Sequence, residues 1–190
     1  MDLLRVTNWC HHFVKNHVKS GDICIDATVG NGNDTMLLCQ LAGDTGKVYG
    51  FDIQDIALTN TKKRAIEEGF CNRLSLICHG HENMDIHIPT EEHGLISCIM
   101  FNFGYLPGGN HQVVTKADTS IEAIDKALSI LRKGGMISLC IYSGEKMGFT
   151  ERDAILSWLG KLDNRKYLVI VSHYYNRGSN PPIPALIFKL

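Results

Sequence analysis

Residues 25–35 read Ile25-Asp26-Ala27-Thr28-Val29-Gly30-Asn31-Gly32-Asn33-Asp34-Thr35, and the segment Phe51-Asp52-Ile53-Gln54 follows downstream. The apolar run before Gly30 predicts a buried strand, and the apolar spacing after Gly32 predicts a helix. Glycine adopts positive φ cheaply and lets a backbone come close to a ligand. An acid at the end of the next strand can bind both hydroxyls of a ribose. Together, the two segments predict an adenosine-containing cofactor at the carboxyl ends of parallel strands.

The identity of that cofactor is narrowed by two missing motifs. A dinucleotide-binding turn has a third glycine where this chain has Thr35, and a phosphate-binding loop has Gly-Lys-Ser or Gly-Lys-Thr, which does not follow Gly32. Because both phosphate-binding motifs are absent, the sequence favours S-adenosylmethionine (SAM) as the cofactor. The alternative is a glycine turn in an ordinary α/β protein that binds no nucleoside.

Length and composition bound the class of protein. The chain has 190 residues, which fits one domain over 1–190. We expect no membrane span, no signal peptide and no metal, because apolar runs are short and the histidine pairs His11-His12 and His79/His81 lack zinc spacing. Seven cysteines without a Cys-x-x-Cys pair favour the reducing cytoplasm. The formal net charge of −1 means that RNA binding would need a local basic patch.

Strands and helices alternate along the chain, which predicts a parallel sheet covered on both faces. The predicted strands are 23–27, 47–51, 74–78, 95–101, 136–142, 167–174 and 185–189. The predicted helices are 7–18, a helix from the glycine turn to just before Gly43, 56–68, 120–131 and 151–162. The strand at 95–101 is nearly all apolar and therefore central. Only a loop without helical pattern joins the last two strands, which predicts an antiparallel hairpin, because a parallel crossover would need a helix.

A second informative run is Phe101-Asn102-Phe103-Gly104-Tyr105-Leu106-Pro107-Gly108-Gly109, directly after the predicted central strand. It resembles the Asn-Pro-Pro-Tyr-type motif of amine methyltransferases. Methyl transfer is an in-line displacement, so the amine lone pair must point at the methyl carbon. The Asn102 amide oxygen and a nearby carbonyl can accept the two N–H groups and aim that lone pair. Phe103 or Tyr105 could pack against a base or the cationic methyl; the alternative is a plain Gly/Pro turn.

Three further segments carry candidate residues. The loop His79-Gly80-His81-Glu82 follows the third strand and is predicted to contact the cofactor; a catalytic base or an exposed polar loop are the alternatives. The segment Tyr142-Ser143-Gly144-Glu145 ends the fifth strand. Arg177, Asn180, Pro181 and Pro182 lie in the hairpin loop, where they line an acceptor pocket or merely stiffen the loop. Tyr105 and Tyr142 are candidate proton acceptors.

The motifs at 26–35, 50–54, 102–109 and 180–182 resemble the family labelled "putative rRNA methylases", over essentially the whole chain. Its characterised members are tRNA methyltransferases of Gram-positive bacteria and plants, which methylate the aminomethyl group on a thiolated wobble uridine. The resemblance implies an α/β fold of the Rossmann-like class I SAM-dependent methyltransferases. That fold is a seven-stranded, mostly parallel sheet with a C-terminal antiparallel hairpin. It also implies SAM as cofactor, cytoplasmic tRNA as partner and a homodimer.

By position, the resemblance implies that Asn31, Asn33, Asp52, Gln54 and the loop 79–82 hold SAM and that residues 102–108 shape the acceptor site. The full set of predicted cofactor-binding residues is Asp26, Gly30, Asn31, Gly32, Asn33, Asp34, Thr35, Asp52, Gln54, His79, Gly80, His81, Glu82 and Asn102. The catalytic candidates are Asn102, Tyr105 and Tyr142, and the substrate-binding candidates are Phe103, Gly104, Leu106, Pro107, Arg177, Asn180 and Pro181. Family members usually have Tyr-His-Gly-His where this chain has Ser143 and Glu145 in place of both histidines, so no acid–base role carries over there.

Joined to the amine-type motif at Asn102, the family resemblance implies a SAM-dependent N-methyltransferase of tRNA, acting on 5-aminomethyl-2-thiouridine at the wobble position. The alternatives are an rRNA or small-molecule N-methyltransferase, or a SAM-binding protein without catalysis. The basic residues proposed for RNA contact are Arg132, Lys133, Arg165 and Arg177.

Overall fold

Seven strands form one sheet in this computed structural model, which describes residues 5–103, 117–142, 148–177 and 181–190. The strands are β1 (Ile23–Asp26), β2 (Lys47–Asp52), β3 (Leu74–Cys78), β4 (Ile96–Phe103), β5 (Leu131–Ile141), β6 (Tyr167–Val171) and β7 (Ile183–Lys189). They lie in the order β3-β2-β1-β4-β5-β7-β6. The first five are mutually parallel, and β7 runs antiparallel to both of its neighbours. The predicted fold, including the C-terminal hairpin, is confirmed.

Helices cover the sheet between strands. They are α1 (Val6–His17), α2 (Asn33–Ala42), α3 (Asp55–Glu67), α4 (Met84–His87), α5 (Ala117–Ile130) and α6 (Gly148–Leu159). Short 3-10 turns at Cys71–Arg73, His81–Asn83 and Thr90–Glu92 complete the connections on either side of β3 and before β4. The sequence patterns did not indicate these turns or α4, because each spans only three or four residues and lacks a repeating apolar period. Among the helices so described, none has both the length and the apolar character needed to cross a membrane.

The core has two layers, one on each face of the sheet. Val14 of α1 and Leu38 of α2 pack on one face, together with Met100 of β4. Ile124 of α5 and Ile155 of α6 pack on the other. The first six residues of β4 are all buried, which explains why that strand is almost purely apolar. Burial on both faces makes β4 the rigid centre of the sheet.

The boundaries of β4 and β5 differ from the predicted ones in a way that matters for the site. Strand β4 runs two residues further than expected, so Asn102 lies within it and pairs with Cys140 of β5. Strand β5 begins at Leu131, where pairing with Ile96 precedes a register shift; Gly134 in this stretch has a φ of 70°. Because Asn102 belongs to the ladder, its backbone is more firmly fixed than a loop residue would be.

Candidate active site

The carboxyl ends of the parallel strands bring the predicted site residues to one edge of the sheet. Asp26 ends β1 and Asp52 ends β2. Asn102 is the penultimate residue of β4, and Tyr142 directly follows β5. Ligands of open α/β sheets bind at this edge, in the crevice where the strand order reverses. Here the reversal lies between β1 and β4, so Asp26 and Asn102 lie on its two sides.

The glycine turn connects β1 to α2 with two left-handed residues. Gly30 has a φ of 50° and Gly32, the N-cap of α2, has a φ of 74°. A Cβ on Gly32 would lie 2.6 Å from Oγ1 of Thr61, a buried residue of α3. The close approach of a ligand that the sequence predicts for Gly32 stays a prediction, and the structure adds a second reason for glycine at this position. Gly32 is required by its left-handed backbone and by close packing of α3 beneath it.

Asp52 is held in one orientation by backbone donors. Gly30 donates its N–H to Oδ2 of Asp52 at 2.8 Å, and Gln54 donates its N–H to Oδ1 at 2.8 Å. The carboxylate is half-buried, and Ile53 beside it is 59% exposed. The arrangement offers a fixed anionic acceptor next to an apolar surface. Sequence reasoning missed Ile53, although an apolar residue immediately after a strand-ending acid was a visible signal.

Asn31 and Asn33 lie on the outer side of the turn. Both are exposed, and Arg64 of α3 donates from Nη1 to Oδ1 of Asn33 at 2.8 Å and to the carbonyl of Asn31 at 3.5 Å. Arg64 also pairs with Glu68. These contacts fasten the turn to α3 from outside.

Asp26 lies beneath the turn and is fully buried. Thr35 donates its hydroxyl to Oδ2 of Asp26 at 2.6 Å, and the N–H of Thr28 donates to Oδ1 at 3.1 Å. Burial is the largest cause that raises the pKa of Asp26 to about 7, and the charge of Asp34 adds to the effect. Asp26 and Thr35 therefore shape the turn from within.

Asp34 connects the glycine turn to β4 and to α1. Its Oδ2 accepts a short hydrogen bond from Nδ2 of Asn102, and its Oδ1 lies 2.5 Å from Nε2 of His11. The backbone N–H of Asn102 donates to Oγ1 of Thr28 at 2.7 Å. Sequence reasoning considered His11 only as a metal ligand, because nothing local indicates that α1 reaches this edge.

The loop after β3 divides into two parts. Nδ1 of His81 lies 3.2 Å from the carbonyl of Ala27, and its ring packs edge-on against Phe101 and Phe103. Burial lowers the pKa of His81, so the ring is neutral at pH 7.

His79 is exposed and packs against the ring of His87, 4.5 Å away. Gly80 separates the two histidines, and Glu82 accepts a hydrogen bond from Asn83. His81 therefore supports the site from below, whereas His79 lies at its rim.

A groove of about 260 Å³ opens beside the end of β5. Arg5 at the start of α1, Tyr142, Tyr174, Arg177 and Pro181 line it. The guanidinium of Arg177 lies over the Tyr174 ring, 5.0 Å from its centroid. Burial raises the pKa of Tyr142, which keeps the phenol protonated at neutral pH and disfavours it as a proton acceptor.

Several predicted positions cannot be compared with the structure. Gly104, Tyr105, Leu106, Pro107, Ser143, Gly144, Glu145 and Asn180 lie outside the described residues. Phe103, by contrast, is buried at the end of β4 under His81.

Three of the four proposed RNA-contacting cations lie far from this edge. Arg132 pairs with Asp22, which precedes β1, and Lys133 is adjacent. Arg165 pairs with Asp163 ahead of β6. Residues before parallel strands lie at the amino-terminal edge, so only Arg177 of the four faces the candidate site.

Comparisons with known proteins show that this chain is similar to RNA methyltransferases. Residues 48–188 match the family described as "Putative rRNA methylase". A chloroplastic protein of Arabidopsis thaliana, named tRNA (mnm(5)s(2)U34)-methyltransferase, is 33% identical over 97% of this chain and 68% of its own length.

Solved structures similar to this chain are also described as methyltransferases. A Clostridium thermocellum protein described as a "putative rRNA-methylase" is 40% identical, with a TM-score of 0.94 over 98% of each chain. A Streptococcus mutans protein described as a "putative methyltransferase", crystallised in complex with SAH, is 34% identical, with a TM-score of 0.87 over 98% of each chain. The match spans the glycine turn, Asp52 and the end of β4 alike, and the chain belongs to the rRNA methylase family of methyltransferases.

Proposed function

We propose that this chain is a tRNA N-methyltransferase that methylates the aminomethyl group of 5-aminomethyl-2-thiouridine at the wobble position. The observation that carries the proposal is the hydrogen bond from Asn102 to Asp34. It joins the amine-type motif at the end of β4 to the glycine turn of the cofactor site. The nucleoside is proposed from the name of the Arabidopsis thaliana relative, a tRNA (mnm(5)s(2)U34)-methyltransferase.

The prediction of SAM as cofactor is confirmed at the level of the family, through the relative crystallised with SAH, the demethylated form of SAM. The residues of this chain fit that group. Asp52 presents a fixed carboxylate for two ribose hydroxyls, and Ile53 presents an apolar surface for a base. Asp34 and Asp52 also make the edge acidic, which suits a cation such as a sulfonium.

We assign the remaining cofactor contacts by their position around Asp52. Gln54 follows it at the start of α3, and His79 and Gly80 follow the neighbouring strand β3. When bound, SAM supplies an electrophilic methyl group on a positively charged sulfur. The protein's part is to exclude water and to present an uncharged amine in line with that methyl.

Asn102 is suited to the acceptor side. Its nitrogen donates to Asp34, so its oxygen is the group that can accept an N–H from an amine. An aliphatic amine has a pKa of about 10.4 and arrives protonated at pH 7. It must lose one proton before its lone pair can react. Desolvation of the amine in the site lowers its pKa and favours release of that proton to solvent before methyl transfer. The Asn102 oxygen then accepts an N–H of the neutral amine and helps to aim its lone pair.

The groove beside β5 is proposed to hold the RNA around the target nucleotide. Guanidinium groups bind phosphates, and tyrosine rings and guanidinium planes stack on unpaired bases. Arg5, Arg177 and Tyr174 combine these properties next to Tyr142. A cytoplasmic location and a homodimer stay predictions from the resemblance.

The test is a methyl-transfer assay with labelled SAM and three RNAs: hypomodified native tRNA that carries the aminomethyl uridine, the same tRNA made by transcription, and ribosomal RNA. We expect label only in the native tRNA, because a transcript has no aliphatic amine. Nucleoside mass spectrometry of tRNA from cells with and without the protein identifies the product. Methylation of ribosomal RNA alone, or of the transcript, would overturn the substrate while leaving methyl transfer intact.

A further inference from the structure

We propose that Asp34, braced by His11, is a positioning residue for Asn102 and not a ligand of the cofactor. This inference rests on the proposed function, since it assigns Asp34 to the acceptor side of the same site. It also names His11 on α1 as part of the machinery, which no sequence motif indicates.

Both carboxylate oxygens of Asp34 are already engaged by protein groups. Nδ2 of Asn102 donates to Oδ2, and Nε2 of His11 lies 2.5 Å from Oδ1. The side chains of His11 and Asp34 are only 18% and 7% exposed. Asp52 likewise accepts one protein N–H on each oxygen, but it is only half-buried. The low exposure of Asp34 is therefore what places it poorly to bind a ligand directly.

The same contacts fix which end of the Asn102 amide faces the acceptor. A carboxylate only accepts hydrogen bonds, so the nitrogen of Asn102 must face Asp34 and the oxygen must face away. If the amide turned over, it would present N–H groups to the N–H groups of an incoming amine. One carboxylate rotamer therefore selects the amide orientation that methyl transfer needs.

His11 selects that rotamer. Its Nε2–H donates to Oδ1 and leaves Oδ2 for Asn102, so the three side chains form one chain of hydrogen bonds. His11 comes from α1, whereas Asp34 lies in the first turn of α2 and Asn102 lies in β4. Placement of the first helix on the sheet is thereby coupled to the orientation of the acceptor amide.

The experiment compares Asp34→Ala, His11→Ala and His11→Gln with the control His12→Ala, the exposed neighbour of His11. Single-turnover methyl transfer to hypomodified tRNA is measured at saturating SAM, and SAM affinity is measured by calorimetry. We expect rates to fall about 100-fold for Asp34→Ala and about 10-fold for His11→Ala, with SAM affinity within about threefold of wild type. His11→Gln should recover most of the rate, because its amide can still donate to Asp34, and His12→Ala should match wild type.

A second readout is independent of activity. The side-chain amide resonances of Asn102 in a nitrogen–proton NMR spectrum should shift in His11→Ala and return towards wild type in His11→Gln. Equal losses of rate and SAM affinity in Asp34→Ala would make Asp34 a cofactor ligand and overturn the inference. Unchanged Asn102 resonances in His11→Ala would overturn it too. If the wild type methylates no tRNA but the resonances respond as expected, the proposed substrate fails and the positioning network stands.

Discussion

The N–H of Gly30 donates to Oδ2 of Asp52 at 2.8 Å, although the two residues are 22 positions apart. The glycine turn and the acid at the end of β2 are therefore one structural unit. The acid orients the turn, and the turn holds the acid in one rotamer. Removal of the carboxylate should consequently affect cofactor binding both directly and through the turn.

Asp52→Ala is expected to weaken SAM binding by about 2 kcal/mol, roughly 30-fold in affinity, because charge-assisted hydrogen bonds are lost. Calorimetry on wild type and variant measures the effect. Asp55→Ala is the matched control, since Asp55 is an exposed acid only three positions away at the start of α3. Equal affinities for wild type and Asp52→Ala would remove Asp52 from the site.

Asn102→Ala should lower the rate of methyl transfer by at least about 100-fold while SAM affinity changes little, because the proposed contact is to the acceptor amine. Single-turnover kinetics with SAM saturating is the measurement. Circular dichroism checks that β4 is intact, since the backbone N–H to Thr28 is retained in the variant. An unchanged rate would move the acceptor site elsewhere.

Gly32→Ala and Gly69→Ala separate backbone strain from packing. Both glycines have similar positive φ values, 74° and 76°, but a Cβ on Gly32 meets Thr61 whereas a Cβ on Gly69 meets nothing within 4 Å. Each variant should lose about 1 kcal/mol from the strained backbone. Only Gly32→Ala should also displace α3 and weaken SAM binding, and Thr61→Ala in the same chain should restore part of it. Normal SAM affinity in Gly32→Ala would show that this packing does not matter to the site.

The parts of the site that could be predicted from the sequence are the local ones. The glycine turn, Asp52 and Asn102 each lie at a strand end, and parallel strands bring such ends together. The contacts of Asp34 with His11 and of Gly32 with Thr61 could not be predicted, because they depend on how α1 and α3 pack. The proposal that Arg132 contacts RNA at the site fails for a simpler reason. Arg132 precedes the main part of β5, so it lies at the edge of the sheet opposite the candidate site, paired with Asp22.

Asp26 gives a pH dependence of stability. Its pKa is raised from 3.8 to about 7 in the folded state, chiefly by burial, so the folded state binds the proton more tightly than the unfolded chain. Its contribution to stability is therefore full below about pH 4 and is lost as pH rises towards about 7. A one-unit shift corresponds to about 1.4 kcal/mol, so the loss is on the order of a few kcal/mol.

Asp26→Asn removes the titrating group and should abolish this contribution to the pH dependence of the free energy of unfolding. Urea unfolding at several pH values between 4 and 8 measures that free energy, with the exposed Asp55→Asn as control. The free energy of unfolding of Asp26→Asn, relative to wild type, should rise with pH. A constant difference across the range would show that Asp26 does not titrate there.

Arg177 tests whether the groove beside β5 contacts RNA. Arg177→Ala should weaken binding of hypomodified tRNA several-fold and reduce the slope of log affinity against log salt by about 0.7, the value for one phosphate contact on a single strand. Arg165→Ala removes another exposed charge, at the opposite edge of the sheet, and should change neither quantity. Arg177→Lys keeps the charge but loses the planar contact with Tyr174, so it should restore the salt slope more than the affinity. The measurements are filter-binding titrations at four salt concentrations. If Arg177→Ala and Arg165→Ala behave alike, the RNA does not cross this groove, and the binding surface has to be sought on another part of the rim.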